Sequence, residues 1–351
     1  MHAALHTRLC DLFGVQYPIV QTGMGWVAGP GLTQATSNAG GLGILAGATL
    51  TFEELLPAVR EIKECTDKPF GVNLRADAPD IEDRADVLIA QGVRVASFAS
   101  PPAERVVKKL KDAGLVVVPT VGARRHAEKV AALGVDAVIA QGAEGGGHTG
   151  VVPTTLLVPQ VVDAVDIPVL AAGGFFDGRG LVAALAYGAE GIAMGTRFLL
   201  TKESGVPDGV KSVYLDTPVT GTVVTRAIDG APQRVIRTKV IDRLEGAGRL
   251  VAFPRAAINA LRFRKLTGTP LRELIREGLA MKRSQDLTYG QMMMAANAPM
   301  LTKATMVDGH LETGILPTGM GVGVIDELPT VAELIDRIIH DADAVLQRLG
   351  T

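Results

Sequence analysis

The chain has few of the residues that mark a secreted, membrane-bound or nucleic-acid-binding protein. Its 351 residues include only two cysteines, Cys10 and Cys65, which cannot build a disulfide framework, so we expect a reducing, cytoplasmic compartment. The formal net charge of −2 excludes a general basic field for nucleic acid. No uncharged apolar run reaches the roughly 18 residues of a membrane span, and the N-terminus has no apolar signal-peptide core, so we expect no membrane contact.

Aromatic residues are also scarce, whereas glycine is abundant and the chain is 47% hydrophobic. Short apolar runs recur with starts 21 to 31 residues apart, and helical patterns lie between them. The runs are apolar nearly throughout, which is typical of strands covered on both faces. Eight such units predict an α/β fold, a (β/α)₈ barrel, with a doubly wound sheet as the competitor. The runs are 18–22, 42–46, 70–74, 94–99, 115–120, 136–141, 167–174 and 191–196.

The regular spacing stops near residue 197, and the composition then changes. We therefore predict a barrel core over residues 1–204, a mostly helical basic insert over 205–310, and a return to the barrel with a C-terminal helix over 311–351. Residues 226–283 hold 14 arginines and lysines against five acidic residues, a net charge of +9, so the rest of the chain carries −11. This division favours an anionic partner at the insert; a solvated helical face or a dimer surface is the alternative.

The loops after the last two runs predict a phosphate site, because active sites lie at the carboxyl ends of barrel strands. Gly173-Gly174 follows the seventh run, and Gly195-Thr196 follows the eighth. Glycines let backbone N–H groups approach phosphate oxygens, and the Thr196 hydroxyl adds a donor. The same glycines would also suit tight turns alone, and that alternative stays open.

His148 is the candidate catalytic residue. It follows three glycines, Gly145-Gly146-Gly147, that come after the sixth run. An imidazole at this place could donate a hydrogen bond, transfer a proton or stabilise an enolate, and the alternative is a structural hydrogen bond within a loop. Neither cysteine has a histidine or cysteine at ligand spacing, so no metal site is predicted.

Several motifs, in order, resemble one known family. They are PIVQTGMGW, NAGGLGIL, GVNLR, QGAEGGGHTG, LAAGGFFDGRG and MGTRF. Together they look like the nitronate monooxygenase/2-nitropropane dioxygenase family of FMN-binding TIM barrels, which includes the flavin-type enoyl-ACP reductases. The resemblance covers residues 8–200 and continues through 290–328. Within the family, the motifs look most like an actinobacterial branch that degrades steroid C and D rings and acts on an indane-type acyl-CoA.

The resemblance implies that FMN lies across the mouth of the barrel, which makes residues 1–204 an FMN-binding core. His148 matches the active-site histidine of the family. Met320, in the late segment 318–323, stands where the family usually has glutamine. The implied contacts to the flavin ring are Gly23, Met24, Asn73, Gln141 and Gly146, and the implied phosphate contacts are Gly173, Gly174, Gly195 and Thr196.

The resemblance implies an FMN-dependent oxidoreductase that transfers a hydride through the flavin to or from an acyl-CoA derived from steroid rings C and D. Arg264 and Lys265, in the basic insert, are candidates to bind the CoA phosphates, and Trp26, Arg75 and Phe175 are candidates to line the substrate pocket. A nitronate monooxygenase, a flavin-type enoyl-thioester reductase and a non-redox phosphosugar barrel are the alternatives. No second dinucleotide motif is visible, so NAD(P)H would visit only transiently. A homodimer is left open.

Overall fold

The computed structural model describes residues 2–246 and 289–350. Within the described residues the strands are β1 (Ile19–Gln21), β2 (Leu42–Leu45), β3 (Gly71–Leu74), β4 (Val95–Phe98), β5 (Val116–Val121), β6 (Val138–Gln141), β7 (Gly147–His148), β8 (Val169–Ala172), β9 (Gly191–Met194), β10 (Thr222–Thr225) and β11 (Gln233–Ile236). Eight of them are parallel and form a closed barrel in the order β1-β2-β3-β4-β5-β6-β8-β9, so the predicted (β/α)₈ barrel is confirmed with a strand in each of the eight apolar runs.

Helices surround the barrel and are started by local sequence signals. Thr51 and Glu54 form a reciprocal capping box at one helix start, and Thr330 and Glu333 form another. Within the described residues the helices are α1 (Arg8–Phe13), α2 (Pro30–Asn38), α3 (Phe52–Cys65), α4 (Ile81–Gln91), α5 (Glu104–Asp112), α6 (Arg124–Ala132), α7 (Thr154–Val162), α8 (Gly178–Ala186), α9 (Thr196–Leu199), α10 (Asp208–Leu215), α11 (Lys239–Gly246), α12 (Tyr289–Met306) and α13 (Val331–Leu349).

Helix α1 closes the N-terminal end of the barrel. Its Leu9 and Phe13 are buried in one cluster with strand residues such as Val20 and Val95. The Thr7 hydroxyl, just before this helix, donates to the carbonyl of Glu190, just before β9. Because this end is filled, the carboxyl ends of the strands form the open mouth, where active sites of such barrels lie.

A second, three-stranded sheet follows the order β10-β11-β7. Strands β10 and β11 form an antiparallel pair within the predicted insert, and β11 also pairs with β7, which lies between β6 and α7 of the barrel. The described part of residues 205–310 therefore contains this pair of strands beside its helices. The boundaries of the insert stay a prediction, and Arg264 and Lys265 lie outside the described residues.

None of the helices in the two described stretches combines the length and the apolar composition needed to cross a membrane.

Candidate active site

Three segments from distant parts of the chain meet at the mouth of the barrel. The N–H group of Met320 donates to the carbonyl of Glu144, in the loop after β6, at 2.9 Å. The N–H group of Gly319 donates to the Thr196 hydroxyl, at the start of α9, also at 2.9 Å. The segment 318–320 therefore ties the loop after β6 to the loop after β9.

The two predicted phosphate loops are both present at this mouth. Gly173 and Gly174 have φ angles of +103° and +84°, a region that favours glycine. A Cβ on Gly173 would lie 2.9 Å from the Thr154 hydroxyl oxygen. The tight turn thus accounts for both glycines by itself. The first N–H groups of a helix have no intrahelical acceptor. At α8 the Asp177 carboxylate already accepts from the Gly180 N–H group at 3.1 Å, whereas the start of α9 has no side-chain cap and offers donors to an anion.

Gly23 and Met24 lie beside two other predicted residues. A Cβ on Gly23 would fall 2.3 Å from the Cβ of Asn73, so only glycine lets the loop after β1 lie this close to β3. A Cβ on Gly195 would lie 3.3 Å from the Met24 sulfur. The structure therefore brings Gly23, Met24, Asn73 and Gly195 together, and their contact with a flavin stays a prediction.

Side-chain amides lie at the carboxyl ends of three strands. The Asn73 amide nitrogen donates to the Ser97 carbonyl at 3.4 Å, and the Gln141 amide nitrogen donates to the His148 carbonyl at 2.8 Å. Gln21, at the end of β1, is fully buried, and its Oε1 has no hydrogen-bond partner among the described residues. Buried amides normally satisfy both groups, so Gln21 is a site candidate that sequence reasoning did not assign.

Gly146 is required by a contact within the protein. A Cβ on this residue would lie 2.5 Å from the carbonyl carbon of Thr318 and 2.6 Å from the backbone nitrogen of Gly319. Real Cβ atoms do not approach backbone atoms this closely, so the missing side chain lets the segment 318–320 pack on the loop after β6. The predicted packing of Gly146 near a flavin stays a prediction.

His148 lies on β7 and contacts the insert. Its Nε2 is 2.7 Å from Oδ2 of Asp229, and its side chain is 66% exposed, against 18% for Asp229. The Gln233 amide also donates to Asp229 Oδ2, and the Ala231 N–H group donates to Oδ1 at 3.1 Å. Burial alone would raise the pKa of the Asp229 carboxyl, but the bonds and charge from His148 and the other bonds lower it below its usual value.

Sequence reasoning missed Asp229 and Gln233. They lie 81 and 85 residues after His148, in a segment whose strands were not assigned to the barrel mouth. The residues around 233 have the β-like composition of a strand, and this was the one signal available. It could not show that the strand pairs with the two residues of β7, or which residues lie opposite each other.

The three residues predicted to line the substrate pocket occupy different places. Trp26 has a φ angle of +65°, and the Lys303 ammonium lies 5.6 Å from the centre of its ring. Arg75 pairs with Asp77 at 3.0 Å and borders a cavity of about 260 Å³ between the loops after β2 and β3. Phe175 packs against the hydrophobic core and lies over Gly180.

Two buried cations support the loops below this mouth. Arg197 donates to the carbonyls of Leu200 and Glu327, and burial lowers its pKa to about 10. Lys211 donates to the carbonyls of Thr201 and Ser204, and burial lowers its pKa too. The Arg197 guanidinium and the Lys211 ammonium therefore stabilise these loops by donating to their backbone carbonyls. Among the described residues no group of three or more histidine, cysteine or acidic side chains is placed to hold a metal ion.

A closed parallel barrel with glycine loops and a paired histidine at its mouth has the architecture of a (β/α)₈-barrel enzyme. The family model described as nitronate monooxygenase matches residues 6–91 and 81–341. A Rhodococcus jostii protein named (3aS,4S,5R,7aS)-5-hydroxy-7a-methyl-1-oxo-octahydro-1H-indene-4-carboxyl-CoA dehydrogenase is 57% identical over 348 residues, 99% of each chain. A Mycobacterium tuberculosis protein of the same name is 56% identical over 346 residues, 98% of each chain.

A solved structure of FabK from Thermotoga maritima is 34% identical, covers 98% of each chain and superposes with a TM-score of 0.80. The chain belongs to the nitronate monooxygenase family. Its relatives are named dehydrogenases and monooxygenases, and the chain is accordingly an oxidoreductase. The family resemblance read from the sequence motifs is thereby confirmed.

Proposed function

We propose that the chain is an FMN-dependent oxidoreductase that acts on an indene-type carboxyl-CoA thioester by hydride transfer through the flavin. The observation that carries the proposal is identity of 57% and 56%, over nearly the whole chain, to two dehydrogenases named for such a thioester. Identity of this extent includes the insert as well as the barrel, and the insert supplies Asp229 beside His148.

The donor set at the mouth fits FMN. The loops after β8 and β9 offer backbone N–H groups and the Thr196 hydroxyl for one phosphate, and Asn73 and Gln141 offer amides for the ring. Gln21 Oε1, buried without a partner in the described structure, gives a further acceptor at this end of the barrel. When bound, FMN would accept or deliver the hydride at its ring nitrogen.

His148 would move the accompanying proton. A thioester acidifies the hydrogen on the neighbouring carbon, so removing that hydrogen leaves negative charge on the thioester oxygen. The exposed imidazole could take up the proton or donate a hydrogen bond to this oxygen. Gln141 supports the role indirectly, because its amide holds the backbone carbonyl of His148.

The anionic end of the substrate would bind at the basic insert. CoA carries several phosphate charges, and residues 226–283 carry +9. Arg226, Arg237 and Lys239 are exposed within the described part of this segment, next to the strands that hold His148. Positive charge there would raise the local concentration of an anionic substrate. Transient NAD(P)H, a homodimer and the reducing, cytoplasmic compartment stay predictions.

The second candidate is oxidation of alkyl nitronates with O₂, which the description of the matching family model favours. The visible spectrum of the purified protein, followed by anaerobic titration, separates the two. We expect flavin absorbance that bleaches when a hydroxyacyl-CoA thioester is added. A colourless protein that gains no flavin spectrum with FMN would overturn the cofactor proposal. Bleaching by a nitronate and not by any acyl-CoA would favour the second candidate.

A further inference from the structure

The contact between His148 and Asp229 joins the barrel to the insert, and its geometry is set by the backbone. Strand β7 pairs with β11 in a register that places His148 opposite Gln233, and the Thr149 N–H group donates to the Pro232 carbonyl at 3.1 Å. These bonds bring the turn that carries Asp229 against the imidazole without help from the Asp229 side chain. The carboxylate is therefore available for a role other than holding the two segments together.

We propose that Asp229 is a positioning residue that keeps the proton of the neutral His148 ring on Nε2 and so leaves Nδ1 as the nitrogen that exchanges a proton with the substrate. The inference rests on the proposed function for the identity of that substrate, but the state of the ring follows from this chain alone.

The hydrogen-bond partners of Asp229 determine which ring nitrogen carries the proton. An ionised carboxylate only accepts hydrogen bonds, so Nε2, 2.7 Å from Oδ2, must be the donor. The Gln233 amide nitrogen is 3.2 Å from Nε2, but two donors cannot bond each other, and this amide donates to Asp229 Oδ2 instead. Within the described residues, Nδ1 of His148 has no hydrogen-bond partner. It is thus the free acceptor.

Burial gives the pair its asymmetry. The Asp229 side chain is 18% exposed and is anchored by Ala231 and Gln233, whereas the His148 ring is 66% exposed at the mouth. The carboxylate is the fixed partner, and the imidazole is the group that substrate can reach. A carboxylate that orients a histidine in this way fixes its tautomer and stabilises the charged ring after proton uptake.

The test is Asp229→Asn, which keeps the shape of the side chain and removes its charge. Asp11→Asn is the matched control, because it makes the same change in a second aspartate–histidine contact. Asp11 lies on α1 at the closed end of the barrel, and its Oδ1 is 3.0 Å from Nε2 of His6. We expect kcat for the acyl-CoA to fall about 10–100-fold in Asp229→Asn with little change in KM, and Asp11→Asn to match the wild type.

A second readout is the imidazole ¹H–¹⁵N spectrum of the flavin-loaded protein, assigned with His148→Gln. In the wild type, His148 should show a low-field proton on Nε2, and this resonance should be lost in Asp229→Asn but kept in Asp11→Asn. A wild-type proton on Nδ1, or a resonance and kcat unchanged by Asp229→Asn, would overturn the proposal. The position of the wild-type proton is read without Asp229→Asn, so this part of the test does not depend on that variant folding. Normal turnover in His148→Ala would instead refute the proton role in the proposed function.

Discussion

A single methyl group at residue 146 should separate the segment 318–320 from the loop after β6. In Gly146→Ala the new Cβ would lie 2.5 Å from the Thr318 carbonyl carbon and 2.6 Å from the Gly319 nitrogen. Both are backbone atoms, so no side-chain rotation relieves the overlap. The segment must move, and its two hydrogen bonds, from Met320 to Glu144 and from Gly319 to Thr196, lie within two residues of the clash. Loss of both hydrogen bonds should lower the unfolding free energy of Gly146→Ala by about 1–3 kcal/mol relative to the wild type.

Gly150→Ala is the matched control. Its Cβ would lie 3.4 Å from the Gly122 carbonyl oxygen, an ordinary contact, and its φ angle is not in the left-handed region. Both variants restrict the unfolded chain equally, so that effect cancels between them. We expect urea denaturation to give Gly150→Ala a stability within about 0.5 kcal/mol of the wild type. Equal stability of the two variants would refute this account of Gly146.

Three further predictions concern the proposed chemistry. His148→Ala should keep its flavin, measured by absorbance, and turn over about 10²–10⁴-fold more slowly, because the proton partner is missing. The KM for the acyl-CoA should rise with ionic strength while kcat changes little, since salt screens the basic insert; Arg264→Glu with Lys265→Glu should raise KM but not flavin affinity. Asp229 has a lowered pKa, so it stabilises the fold above the ordinary aspartate pKa. This contribution to the unfolding free energy should be lost as pH falls through the lowered pKa of Asp229 in the folded protein. Urea denaturation at a series of acidic pH values should show the loss in the wild type and not in Asp229→Asn.

The barrel could be predicted because each strand is a short, continuous apolar run. Residues of β4 and β8, for example, are buried throughout. A strand buried on both faces is apolar along its whole length, so it can be recognised without knowing which strands it pairs with. The glycines after β8 and β9 were likewise visible, since their place follows from the strands.

Contacts between distant segments could not be predicted in the same way. Strand β7 has two residues, too few for any periodicity, and its register with β11 decides that Asp229 meets His148. The reason for Gly146 lies at Thr318, more than 170 residues later, so the sequence showed an unusual glycine without its partner. Contacts between segments so far apart in the chain depend on the whole tertiary structure, so local residue preferences do not predict them.

The order in which the site is assembled follows from the position of its parts along the chain. All eight barrel strands end by Met194, whereas Asp229, Gln233 and the segment 318–320 come later. At about 5–20 residues per second, the ribosome releases residue 320 roughly 6–25 s after the last barrel strand. A nascent chain can therefore close its barrel while the loop after β6 still lacks both the partner of His148 and the backbone that packs on Gly146. Such a half-made chain holds all eight barrel strands but lacks Asp229, Gln233 and the segment 318–320 at the mouth.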